Sequence, residues 1–156
     1  MVIHLGALPD SDYHQFQRRV IAAFRANGGR VGGRFEGQTL ILLTTVGART
    51  GLRRTSPLQF FDIDGRPAVI ATGLGGARKP DWYHNIRHNP RVIVEIGTDV
   101  YDATAAIAEE PEHDRLLTRI MALEPEFARY RTPANLHPPV ITLRPLVRPH
   151  RPRDLR

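Results

Sequence analysis

From Ser11 to Asn27 the apolar residues Tyr13, Phe16, Val20 and Phe24, with Ile21 beside them, recur at helical spacing. Arg18, Arg19 and Arg25 fall elsewhere on the wheel. This predicts an amphipathic helix with Ser11 or Asp12 as its cap, broken by Gly28, Gly29, Gly32 and Gly33. Thr39 to Val46 (TLILLTTV) is aliphatic and β-branched, too short for a helix, and reads as a buried strand. Ser56 to Asp62 and Pro67 to Thr72 read as two strands joined by Asp64-Gly65, a strong hairpin signal. Pro80 to His88 predicts a short helix opened by proline and closed before Asn89-Pro90. Arg91 to Ile96 and Tyr101 to Ala108 form a second hairpin about Gly97-Thr98-Asp99. A helix from about Glu110 to Leu123 then buries Leu116, Leu117, Ile120 and Leu123, with Pro111 in its first turn and Pro125 ending it. A short piece around Glu126 to Tyr130 and a strand from Val140 to Leu143 complete the series.

Hairpin-joined strands with helices between pairs indicate an α+β, mainly β fold: an antiparallel sheet or barrel with helices at its edge. The expected organisation is an N-terminal helix and Gly-rich linker over 1–37, a barrel domain over 38–145, and a basic, mobile tail over 146–156. A chain of 156 residues, 41% hydrophobic and 24% charged, suits one domain with a true core. Its longest apolar run falls far short of a spanning helix, and MVIHLGALPD lacks the features of a signal peptide, so the expectation is a cytoplasmic protein. Without cysteine there is no disulfide, thiol nucleophile or Cys-ligated metal.

The net charge of +6 is uneven. Residues 46–91 carry eight basic against three acidic groups, residues 92–126 two against nine, and residues 144–156 five arginines against one aspartate. Two constellations lie in the basic middle. VGARTGLRRTSP (Val46 to Pro57) sets Gly47, Gly51, Arg49, Arg53 and Arg54 in one loop between strands, a pattern for phosphate or carboxylate oxygens; a solvated basic loop accounts for it equally well. ATGLGGARKPDWYHN (Ala71 to Asn85) leads a Gly-rich turn with Arg78 and the sole lysine, Lys79, into a helix carrying Trp82, Tyr83 and Asn85. It matches neither a Walker motif nor the Rossmann fingerprint, and Trp82 with Ile86 also suits simple pinning of a helix to the barrel. His84 and His88 have metal-ligand spacing but lack an intervening Glu, so no metal site is assigned.

Taken together, LLTTVGARTGLRRTSPL and ATGLGGARKPDWYHNIRHNPRVIVEIG resemble the deazaflavin-dependent nitroreductase family of split β-barrel oxidoreductases, whose fold is similar to the FMN-binding barrels. The T-x-G-x-x-[ST]-G and P-x-W-Y-x-N-[LI]-x-x-N-P signatures carry the likeness over residues 38–145. It implies coenzyme F420, a 5-deazaflavin with a phosphate and an oligoglutamate tail, as hydride donor to an unsaturated, quinone-like or nitro compound. By that resemblance Arg49, Thr50, Gly51 and Arg54 hold the anionic tail, while Ser56 and Pro57 line the passage to the ring. Thr72, Gly73 and Leu74 pass along the ring edge, Lys79 sits near the phosphate, and Trp82 and Asn85 wall the ring. Gln59, Phe127 and Tyr130 line the substrate side, with Tyr130 the candidate proton donor. Phe127 and Glu124 stand where relatives of the nitroreductase type carry tyrosines, and Gln59 where many carry an aromatic.

Two rival readings accompany this one. FMN in the same fold is the alternative cofactor. A non-enzymatic binder of nucleic acid or acidic surfaces is suggested by the arginine tail, although no aromatics interleave it. The N-terminal stripe of Tyr13, Phe16, Val20 and Phe24 suits packing on the barrel, contact with a second copy or partner, or a membrane surface.

Overall fold

The computed structural model describes residues 10–33, 39–72, 79–125 and 137–146. In chain order these form α1 (Asp10–Ala26), β1 (Leu40–Val46), β2 (Arg53–Gln59), β3 (Phe61–Ile63), β4 (Arg66–Ile70), α2 (Asp81–His88), β5 (Arg91–Ile96), β6 (Asp99–Ile107), α3 (Glu112–Leu123) and β7 (Val140–Pro145). One antiparallel sheet of seven strands runs in the order β2-β1-β5-β6-β7-β4-β3. Its two edge strands, β2 and β3, are consecutive in the chain, with only Phe60 between them. A single residue spans a few ångströms, so the sheet must curl until its edges nearly meet. Thr39 fixes the bend on both sides: its carbonyl accepts from the Phe60 amide (3.1 Å), and its hydroxyl donates to the Phe60 carbonyl (2.9 Å). The single strand expected from Ser56 to Asp62 is therefore two, broken at this corner.

Strand β1 is buried throughout its apolar run because it is covered on both faces. Ile41 and Leu43 point into the curl, where they meet Val69, Ala71, Val92, Val94, Ala103, Ile141 and Leu143. The alternate residues Leu40 and Leu42 meet Val20 and Phe24 of α1, with Phe16 and Ile21 at the margin. The helix thus lays its apolar stripe on the barrel, and Phe24 is 1% exposed. Arg25 seals its end by donating from Nε and Nη2 to the Glu95 carboxylate (3.0 and 2.8 Å). Just beyond, Gly29 (φ 95°) leaves no room for a side chain, since a Cβ there would lie 2.9 Å from Gly97 Cα in the β5–β6 turn. Ser11 and Asp12 fall inside the first turn of α1, not at a cap, because the helix starts already at Asp10.

The third helix covers the outer face at the opposite end. Leu116, Leu117 and Ile120 pack on Phe61, Ile63, Ala68 and Val140. Leu123, expected on this face, is exposed, as the last residue of the helix. Asp64 and Gly65 make the tight β3–β4 turn, both with positive φ (55° and 80°). Arg119 hydrogen-bonds Asp64 at 2.7 Å and, with Arg115, holds this exposed carboxyl below its ordinary range. His113 donates from Nε2 to the Pro138 carbonyl (2.7 Å), tying the start of α3 to the segment that enters β7. Among the described residues no helix is long and apolar enough to cross a membrane.

Candidate functional site

Strand parity sorts the basic loop before any ligand is considered. Directly opposed residues of an antiparallel pair share a face. Thr45 opposes Arg54, Leu43 opposes Ser56 and Ile41 opposes Leu58, so Arg54 and Ser56 stand on the inward side of β2, at the end nearest the loop. Arg53, Thr55, Pro57 and Gln59 oppose Val46, Thr44, Leu42 and Leu40 on the outward side. Pro57 and Gln59 thus flank the residues that carry α1 and do not share a face with Arg54 and Ser56. Their even spacing from Arg53, rather than from Arg54, sets this face. Arg53 instead borders a small outer cleft of about 100 Å³ with Thr44, Asn89, Arg91 and Asp102.

The β1–β2 loop is held by its own polar groups. The Gly47 amide donates to the Leu52 carbonyl (2.7 Å) and the Gly51 amide to the Gly47 carbonyl (2.9 Å). Thr50 Oγ1 accepts from the Leu52 amide at 3.1 Å. Gly51 adopts φ 69°, a left-handed conformation that favours glycine. Gly47 is needed for a different reason: a Cβ there would lie 2.7 Å from Thr50 Oγ1 and 3.2 Å from the Leu52 carbonyl oxygen. The Ala48 amide is taken by the side chain of Asn85 (3.0 Å).

What the loop leaves unspent is positive. Arg49 and Arg54 are exposed, and among the described residues neither forms an ion pair. The amides of Arg49 and Thr50 likewise find no protein acceptor among the described residues. The Arg49 guanidinium and two backbone donors on the turn, with the Arg54 guanidinium at the start of β2, suit phosphate or carboxylate oxygens, so the residues present fit the anionic part of a deazaflavin cofactor.

Helix α2 lies against this end of β1. Trp82 and Ile86 enter the core with Ile41 and Leu43, and Trp82 is 6% exposed. Asn85, 8% exposed, accepts from Ala48 and donates from Nδ2 to Thr45 Oγ1 (3.1 Å). Both amide functions of Asn85 are therefore spent within the protein, and the indole is largely spent in the core. The two side chains expected to wall the ring thus also seat α2, Trp82 on the barrel core and Asn85 on the loop. Lys79, half-buried, precedes the helix, and Thr72, half-buried, follows Ala71 out of the core. Gly73, Leu74, Phe127 and Tyr130 lie outside the described residues.

Thr45 was not among the expected site residues. Its signal is a hydroxyl at an inward-facing position of an otherwise aliphatic strand, where a buried polar group needs a partner.

A family model described as F420H(2)-dependent quinone reductase matches residues 16–145. The chain belongs to that family. It is 34% identical over 98 residues to an F420H(2)-dependent quinone reductase of Mycobacterium tuberculosis; the match covers 61% of this chain and 66% of that relative, just under two thirds of its length. A solved F420-H2 dependent reductase superposes with TM-score 0.60 at 32% identity, covering 67% of this chain and 93% of the other. A second solved structure, described as a domain-swapped dimer, gives TM-score 0.60 at 28% identity and covers 86% of this chain and 99% of its own. The curled antiparallel sheet with flanking helices is the split-barrel fold of these proteins.

Proposed function

We propose that this protein is an F420H(2)-dependent reductase of quinone-like small molecules. The observation that carries the reading is the turn from Gly47 to Leu52, rigid within itself, with the cations of Arg49 and Arg54 left free of ion pairs among the described residues. Family membership supplies the ligand that such a turn would take. Bound there, reduced coenzyme F420 supplies the hydride, which is why the chain needs no cysteine or nucleophile of its own.

The tasks left to the protein are orientation and shielding. Arg49, Arg54 and the amides of Arg49 and Thr50 hold the phosphate and carboxylates. Gly51 supplies the left-handed bend that presents them, and the Thr50 hydroxyl braces it. Ser56, on the same face as Arg54, lines the way to the ring, and Thr72, Gly73, Leu74 and Lys79 are the further residues assigned to the cofactor. Tyr130 serves as proton donor to the reduced group, and Gln59 and Phe127 are assigned to the substrate side. The reading involves small molecules and, supported by the domain-swapped solved relative, a second copy of this chain. Membrane contact forms no part of it, since Val20 and Phe24 are spent on Leu40 and Leu42.

Anaerobic mixing of the purified protein with reduced deazaflavin and a simple quinone tests the reaction. Loss of reduced deazaflavin only when protein and quinone are both present is the expected result. Oxidation at the same rate without protein, or with protein and no quinone, would refute it.

A further inference from the structure

We infer that Asn85 is a positioning residue for cofactor binding, acting through the Gly47–Leu52 turn rather than by touching the ligand. The inference rests on the assignment of that turn as the anion-binding element. Asn85 projects from α2 into a nearly dry space, 8% exposed, between the helix and the end of β1. Its Oδ1 accepts from the Ala48 amide at 3.0 Å, and its Nδ2 donates to Thr45 Oγ1 at 3.1 Å. Thr45 is 1% exposed and offers almost no surface to a ligand.

The chain of contacts is continuous. The Ala48 N–H, a donor only, selects the oxygen end of the Asn85 amide, and Thr45 Oγ1 anchors the nitrogen end. The Asn85 oxygen then fixes the peptide immediately before Arg49, and with it the direction of the Arg49 guanidinium and of the Arg49 and Thr50 amides. The other amides at the ends of the turn are already committed, Gly47 to Leu52 and Gly51 to Gly47. Among the described residues, Ala48 is thus the one point at which an element outside the turn is hydrogen-bonded to it. A buried donor or acceptor left without its partner costs far more than an exchanged one, so the clamp is held by the penalty of breaking it.

The decisive comparison is Asn85→Leu with Thr45→Val. Asn85→Leu removes both hydrogen bonds and Thr45→Val the one that anchors the amide nitrogen, but only one of the two residues stands near enough to the surface for direct contact to be an alternative. Both variants are expected to raise the dissociation constant and the KM for reduced deazaflavin about tenfold, with kcat within about twofold of the parent protein. The double variant is expected to be no worse than Asn85→Leu alone, because the two substitutions break one linkage. Independently of any cofactor, amide hydrogen exchange at Ala48 is expected to speed up at least tenfold in each variant. If Asn85→Leu fails to fold, Thr45→Val carries both readouts. An unchanged KM in Thr45→Val beside a raised one in Asn85→Leu would overturn the inference in favour of direct contact. Unchanged exchange at Ala48 would overturn the clamp itself. A wild-type protein that binds no deazaflavin, with Ala48 exchange still clamp-dependent, would refute the cofactor assignment instead.

Discussion

Replacing Arg49 and Arg54 together by alanine is expected to weaken binding of reduced deazaflavin by a hundredfold or more, while the thermal midpoint stays close to that of the parent. A hydrogen bond to a charged group is worth about 1.5–3 kcal/mol, and each factor of ten in affinity is about 1.4 kcal/mol, so each arginine accounts for roughly tenfold or more. The fold is spared because both side chains are exposed and, among the described residues, neither is engaged in an ion pair. The sharper half of the prediction concerns Arg53. It is the immediate neighbour of Arg54 and equally charged, yet it opposes Val46 on the outward side, beside Asn89 and Arg91. Arg53→Ala is expected to change affinity by no more than about twofold, the size of a screened, long-range charge effect. Fluorescence titration of the three variants at one ionic strength separates the cases. Equal losses at Arg53 and Arg54 would mean that strand parity does not select the binding face.

Gly47→Ala is expected to have the second largest effect, and Gly51→Asn a smaller one, although Gly51 has the more unusual backbone. An added Cβ at Gly47 meets Thr50 Oγ1 at 2.7 Å and the Leu52 carbonyl oxygen at 3.2 Å, so the turn has to open. Opening it breaks the 2.7 Å bond from the Gly47 amide to Leu52 and displaces the Thr50 brace. Overpacking of this kind costs about 1–3 kcal/mol, and here the cost falls on the element that orients Arg49. Cofactor affinity should therefore drop by about tenfold or more, matching that cost. At Gly51 a Cβ meets nothing within 4 Å, and the only penalty is φ 69°, which asparagine tolerates better than other residues. Isothermal titration of both variants with deazaflavin provides the check. A weaker effect for Gly47→Ala than for Gly51→Asn would show that space inside the turn is not what limits it.

Much of this architecture was legible in the sequence because local rules and tertiary packing agree there. Leu40 to Val46, Arg91 to Ile96 and the Asp64-Gly65 turn fall where β-branching and hairpin chemistry put them. The helical stripe of Phe16, Val20 and Phe24 anticipated the face that covers Leu40 and Leu42. The corner at Phe60 was not legible. It exists only because the two edges of a curled sheet meet, and nothing in the run from Pro57 to Asp62 interrupts strand propensity. The face of Pro57 and Gln59 was not legible for a related reason: parity can be counted only once the pairing of β1 with β2 is known.

At the candidate site the motif singled out a loop and a helix, but not the hydrogen bonds that connect them. A conspicuous tryptophan and asparagine after a glycine-rich turn invite a ligand, yet their burial commits them to the protein first. Thr45 carried the missing information. A lone inward hydroxyl beside Leu43 has to be paired, and the polar residue facing it on α2 is Asn85.

The most direct test is a titration of the wild-type chain with coenzyme F420, followed through the emission of its single tryptophan, Trp82, with FMN as the competing ligand. The expected result is saturable binding at micromolar concentration that weakens steeply with added salt and is not displaced by FMN. Absence of saturation in that range, or tighter binding of FMN, would contradict it.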